Sequence, residues 1–183
     1  MTRPLFAFSL FFLLTTVASA EIDSGPKEGE KTPALKVSAV VGEIEDKEVD
    51  YVAERKGKPT IYVFVQADKF DRPIARYLKE LDKVVSDIGK DAAVVAVWLS
   101  DDQDASKTYL PRMQKSIKLG NTALTVSVDG KAGPNDWVIN DRAFVTTIVA
   151  KDNKVTARFS YQSLNDTDVP DVEKAIKKTV GKE

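Results

Sequence analysis

Apolar residues along this chain follow two rhythms. Ile74, Tyr77, Leu78, Leu81, Val84, Val85 and Ile88 recur 3, 4, 7, 10, 11 and 14 positions after the first. That spacing draws one stripe along a helix, with charged residues opposite. Pro73 suits the first helical turn, where its missing N–H is no loss, and Gly89 supplies the stop. On either side lie unbroken apolar runs, Thr60 to Val65 and Ala92 to Leu99. Such runs suit strands covered on both faces. A strand, helix and strand within about 40 residues predict a right-handed βαβ unit with parallel strands.

The remaining pattern extends this unit. Leu35 to Val41 alternates partly and reads as a strand, and Lys47 to Ala53 is a second short element. Asp101 to Lys118 reads as a weaker helix interrupted by Pro111. Ala123 to Val128 is a further strand, and Gly130 to Asp136 is a loop. Val145 to Ala150 and Val155 to Tyr161 flank Lys151-Asp152-Asn153-Lys154. Asp and Asn tolerate positive φ, so this turn predicts a hairpin. A last helix starts near Asp168, a potential N-cap, and carries Val169, Val172, Ile176 and Val180 on its apolar face. There is no internal repeat and no low-complexity tract.

The N-terminus changes the compartment expected. Arg3 precedes an apolar run from Leu5 to Leu14, followed by Ala18-Ser19-Ala20. This is the layout of a cleavable secretory signal over residues 1–20, with cutting after Ala20. The run is short for a membrane span, which needs roughly 20 apolar residues. Residues 21–34, polar and rich in Gly and Pro, read as a flexible lead-in, and residues 35–183 as one domain. No membrane span is expected after signal cleavage.

Composition removes whole classes of chemistry. The chain has no Cys and no His. Thiol catalysis, thiolate or imidazole metal ligation and a Ser-His-Asp arrangement are therefore impossible. An exported protein has access to disulfides, but this one must rely on packing. With 27 Lys+Arg against 28 Asp+Glu, there is no basic footprint for nucleic acid.

Local sequence adds a resemblance. Gly29-Glu30-Lys31-Thr32-Pro33-Ala34-Leu35, Gly57-Lys58-Pro59-Thr60-Ile61-Tyr62-Val63-Phe64-Val65 and residues 145–159 stand in the order and spacing of three family segments. Together they resemble the thioredoxin-like superfamily, in its alkyl hydroperoxide reductase and thiol-disulfide oxidoreductase branch. The resemblance implies an α/β fold, a three-layer α/β/α sandwich with a central mixed β-sheet and flanking helices. In that family a Cys-x-x-Cys or Cys-Pro lies between the first core strand and its helix. Here the turn is Asp68-Lys69-Phe70-Asp71-Arg72-Pro73. One register sets Arg72-Pro73 over Cys-Pro, and another sets Phe70 and Pro73 over the two cysteines. Neither offers a nucleophile. The family's cis-proline position is Val145. A cis bond before a non-proline costs about 2.5–4 kcal/mol, so Phe144–Val145 is predicted trans.

The resemblance with these losses implies an exported, redox-inactive module that binds a protein, peptide or small ligand and needs no cofactor. Two alternatives stay open. One is a degenerate partner subunit of an active thiol-redox protein. The other is an enzyme using Asp68, Asp71 or Arg72 in the same cleft. Trp137 and Asn135 are candidate ligand contacts in a loop, weighed against packing of the Trp. Asp101-Asp102-Gln103-Asp104 could offer oxygen ligands to Ca²⁺, but it lacks the glycine and distal Glu of a Ca²⁺ loop, and a helix-start cluster is the plainer reading. Asn165-Asp166-Thr167 matches an N-glycosylation sequon.

Overall fold

The computed structural model describes residues 22–89, 91–165 and 167–181. The signal-type segment, residues 1–20, lies outside them, as does Asp166 of the sequon. Seven strands form one sheet: β1 (Lys36–Val41), β2 (Lys47–Asp50), β3 (Thr60–Gln66), β4 (Ala93–Leu99), β5 (Thr122–Ser127), β6 (Val145–Lys151) and β7 (Lys154–Tyr161). Four α-helices accompany them: α1 (Tyr51–Arg55), α2 (Arg72–Ile88), α3 (Gln103–Ile117) and α4 (Val169–Val180). The sheet order is β2-β1-β5-β4-β3-β6-β7. Strands β3, β4 and β5 run parallel, and the other pairings are antiparallel.

The unbroken apolar runs of β3 and β4 are explained by cover on both faces. Ile61, Val63 and Val65 pack with Val94, Ala96 and Trp98 beneath helices α2, α3 and α4. Tyr62, Phe64, Val95, Val97 and Leu99 face the other way. The three layers are uneven. All three long helices cover one face. The second is closed by short α1 and by the 3₁₀ turn at Asn135–Trp137. The described part of the lead-in also lies here.

The described part of the lead-in makes specific contacts with the sheet. Ser24 is 1% exposed, and its hydroxyl sits 2.7 Å from Thr146 Oγ1. Arg158 pairs with Asp23 at 2.5 Å and donates to the Gly25 carbonyl at 3.0 Å. Gly25 has φ +86°, and a Cβ there would lie 2.6 Å from Ile148 Cδ1, so a side chain has no room. Polar composition marked this segment as loose, but the Ser24 hydroxyl and the Gly29 and Thr32 N–H groups find partners on β6, β7 and the turn between them.

Other boundaries follow local chemistry. The short element at residues 47–53 is a strand and then a helix, because Asp50 Oδ1 accepts from Val52 and Ala53 N–H and starts α1. Pro111 does not interrupt α3, which runs unbroken through it. Leu110 and Met113 on either side are both buried in the core, which holds the helix across the missing donor. The hairpin is as read: Asp152 and Asn153 have φ of 53° and 57°. Asp168 stands at the N-cap of α4, but its side chain does not cap. Its carboxylate accepts from Asn165 N–H instead.

A buried carboxylate ties α2 to the start of β5. Asp82 is 8% exposed and accepts from the N–H groups of Gly120 and Asn121 and from the Thr122 hydroxyl, at 2.7–3.1 Å. This fixes the far end of α2, and so the direction in which its N-terminus points.

Candidate functional site

The site residues read from the sequence gather at the C-terminal end of β3. Here the chain leaves the sheet through a 3₁₀ turn, Ala67–Lys69, and enters α2. Asp71 is the N-cap of α2, and its Oδ1 accepts from Ile74 N–H at 2.9 Å. That bond occupies a backbone donor at the positive end of the helix. Arg72 is the first helical residue and is exposed, and Pro73 follows it in the first turn.

Asp68 faces away from the helix. Its carboxylate takes Lys131 Nζ at 2.8 Å and Lys69 Nζ at 3.7 Å. The hydrogen bond from Lys131 holds the Asp68 carboxyl below its ordinary range, and the same bond pushes the Lys131 ammonium up. Lys131 is itself positioned by its backbone N–H, which donates to Asp101 Oδ1 at 3.0 Å. Lys69 Nζ also stands 5.5 Å from the centre of the Phe144 ring. The turn is thereby tied to both the β5–β6 loop and the residue preceding Val145.

Val145 pairs with Val65 in the sheet, and Phe144–Val145 is trans, as are all described peptide bonds. The Gln66 N–H donates to the Phe144 carbonyl at 3.0 Å. The Gln66 side chain is 2% exposed, and neither its oxygen nor its nitrogen has a partner. An amide buried in this way costs stability. Sequence reasoning missed it because a Gln closing an apolar strand reads as the first residue of the solvated turn.

Phe70 turns toward the helical face. Its ring lies 4.8 Å from Trp98 and 6.2 Å from Tyr109, which is 43% exposed. Beside Pro73 a groove of about 550 Å³ opens between α2 and α4, floored by Tyr77, Leu164 and Val169. Tyr77 is buried, which raises its pKa well above the ordinary value, and its hydroxyl sits 2.7 Å from Thr147 Oγ1.

Trp137 packs in the core of the second face. It is fully buried, its Nε1–H donates to the Ala34 carbonyl at 2.9 Å, and its ring packs on Tyr62 and Phe64. Asn135 is exposed and begins the 3₁₀ turn that carries the Trp inward. A Trp in a Gly-Pro loop reads as available, but among the described residues no long helix covers the second face of the sheet, and this ring covers part of it. The acidic run at residues 101–104 opens α3. Asp102 accepts from Ala105 N–H, and Asp101 holds Lys131. Among the described residues no group of three or more acidic side chains converges as a metal site.

No family model matches this chain, and no curated protein matches it. Solved structures do. A DsbF homologue from Corynebacterium diphtheriae superposes with a TM-score of 0.61 at 18% identity, over 93% of this chain and 99% of that one. The fold is thioredoxin-like. A thiol:disulfide interchange protein from Bacteroides sp. gives 0.59 at 17% identity, covering 85% and 91% of the two chains. A thiol peroxidase from Chromobacterium violaceum gives 0.59 at 14%, covering 89% and 93%. This thioredoxin-like chain has no cysteine. A helix N-terminus lowers the pKa of a thiol placed there, but the N-terminus of α2 is capped by the Asp71 carboxylate.

Proposed function

We propose that this thioredoxin-like chain is an exported, redox-inactive binding module. It recognises a protein, peptide or small ligand at the face formed by the turn after β3. The observation that carries this reading is the state of that turn. No thiol exists anywhere in the chain, and the Asp68–Lys131 ion pair and the Lys69–Phe144 contact bind the turn to the neighbouring loops. Phe70, Tyr109 and the groove beside Pro73 give this end of the molecule aromatic and apolar surface for recognition. Export rests on the signal-type segment at residues 1–20. Among the described residues no helix is long and apolar enough to cross a membrane.

Two other readings fit less well. Acid–base catalysis by Asp68 or Asp71 needs a carboxylate poised near neutrality. Asp68 is instead ion-paired with its pKa lowered, and Asp71 is committed to its cap. A subunit-partner role calls for an exposed apolar patch of roughly a few hundred Å². Among the described residues only Tyr109 and Val138 are large exposed hydrophobics.

The test is affinity capture by the mature protein in a native envelope or secreted extract, beside the variant with Asp68→Ala, Phe70→Ala and Arg72→Ala together. One reproducible partner lost in the variant supports the reading. Capture that is indifferent to these changes moves recognition to another face. Amino-terminal sequencing of the exported protein should begin at Glu21.

A further inference from the structure

A second site lies at the opposite end of the sheet, where the parallel strands begin. A cleft of about 760 Å³ opens there between the β1–β2 turn, α1 and the C-terminal ends of α2 and α3. Val85, Val94 and Leu119 are among its apolar wall residues. Its charged described lining is one-sided: Glu43, Glu45 and Glu54 against Arg55 alone. Arg55 is pinned to the wall. Its Nε donates to Thr60 Oγ1 at 2.8 Å, and its Nη2 donates to the carbonyls of Pro59 and Asp91 at 3.1 and 2.6 Å. Of the carboxylates, Glu45 accepts one long bond, 3.4 Å from Gly42 N–H.

The second observation is Tyr51. This residue is only 5% exposed, yet it lines the cleft, with its hydroxyl beside Gly42. That hydroxyl makes no hydrogen bond to another described residue. The Tyr51 ring is buried and its hydroxyl opens on the cleft, where it is available to a ligand. Burial and the nearby Glu43 and Glu54 charges raise its pKa to about 12, partly offset by Arg55, so it stays protonated at neutral pH.

We propose that this cleft binds a small organic cation, an alkylammonium with a short aliphatic body. The ammonium would donate to the glutamates and to the Tyr51 oxygen, and the aliphatic body would lie on the apolar wall. Ammonium-to-carboxylate hydrogen bonds are stronger than neutral ones, which gives the recognition its sign. An anion would meet three carboxylates. A bare metal ion would lack converging ligands, since no such group exists among the described residues. The inference is independent of the function proposed above, because it uses none of the residues at the other end of the sheet.

The probe is n-butylamine, titrated into isotope-labelled mature protein and followed by amide NMR. Saturable shifts should map to Gly42, Tyr51 and Ala123. The Glu43→Gln, Glu54→Gln double variant should bind roughly tenfold more weakly. Tyr51→Phe should weaken binding less, and salt of about 0.5 M should weaken it in the parent protein. Valerate, with a carboxylate in place of the ammonium, should not bind. Glu43 and Glu54 are exposed, and the same spectra report whether the double variant folds, with Glu43→Gln alone as the substitute. Absence of saturable shifts in the cleft, equal binding by the charge-depleted variant, or equal binding of valerate would each overturn the proposal.

Discussion

Replacing Trp137 tests how the second face of the sheet is closed. The ring is fully buried, its centre 5.2 Å from that of Tyr62 and 4.9 Å from that of Phe64, and its N–H is bonded to the Ala34 carbonyl. Trp137→Ala opens a cavity that the uneven cover cannot collapse into, at a cost of about 3–5 kcal/mol for a buried Trp. A domain holds only about 5–15 kcal/mol in total, so this one change should remove a large share of the stability. Trp137→Phe keeps most of the ring contact, loses part of the volume and strands the Ala34 carbonyl. It should cost about 1–2 kcal/mol, of which the lost hydrogen bond is roughly half. Urea unfolding followed by circular dichroism measures both. The midpoint should fall in the order Ala, Phe, parent with little change in slope, because the surface exposed on unfolding is nearly the same. An alanine variant within about 1 kcal/mol of the parent would refute the assignment of Trp137 to the core and return it to the candidate ligand contacts.

Three further outcomes follow from particular contacts. Asp82→Ala leaves the Gly120 and Asn121 N–H groups and the Thr122 hydroxyl without their acceptor, and should cost about 3 kcal/mol or more in thermal or urea unfolding. A loss under about 1 kcal/mol would mean that water replaces the carboxylate. Gln66→Met swaps an unpartnered buried amide for an apolar chain of similar shape and should be neutral or stabilising by about 1 kcal/mol. A drop in stability would show that the amide is paired in solution. The Asp68 carboxyl, lowered mainly by the Lys131 hydrogen bond, should titrate below its ordinary 3.8 in side-chain NMR and return toward it in Lys131→Met. Because the folded pKa is depressed, any stability from this pair is present above the unfolded value and is lost as pH falls through the folded one. Both groups are nearly half exposed, so salt should erase most of the effect, and an unchanged titration in Lys131→Met would contradict the pairing.

Much of the architecture was legible because its signals are periodic. The stripe from Ile74 to Ile88 keeps one helical period, and the runs in β3 and β4 are apolar throughout because both their faces are covered. The Asp152-Asn153 turn needs positive φ, and those residues supply it. What escaped depends on the third dimension. Pro111 breaks a helix in isolation, but burial of Leu110 and Met113 outweighs one lost donor. The lead-in is polar in composition and still docks, because Ser24 and Gly25 meet Thr146 and Ile148, and the Ser24–Thr146 pair is 122 residues apart in sequence, which no local pattern can show. Around the turn at residues 68–73, the cap is local in sequence and the straps are not. Asp71 is an N-cap by position, whereas the pairing of Asp68 with Lys131 spans loops that only the fold brings together. The same holds for the cleft at the far end. Glu43, Glu54 and Tyr51 carry no motif, and the fold brings them to one cleft by setting the β1–β2 turn and α1 beside β5.

The central claim is that a thioredoxin-like scaffold without thiols uses the turn after β3 for recognition. Site-specific photo-crosslinking tests it most directly. A photoreactive residue at position 70, beside Tyr109 and Trp98, is compared with one at position 178 on α4, in the mature protein expressed in its native compartment. The account predicts a discrete adduct from position 70 that disappears when Asp68 and Arg72 are replaced, and none from position 178. A discrete adduct from position 178 with none from position 70 would contradict it.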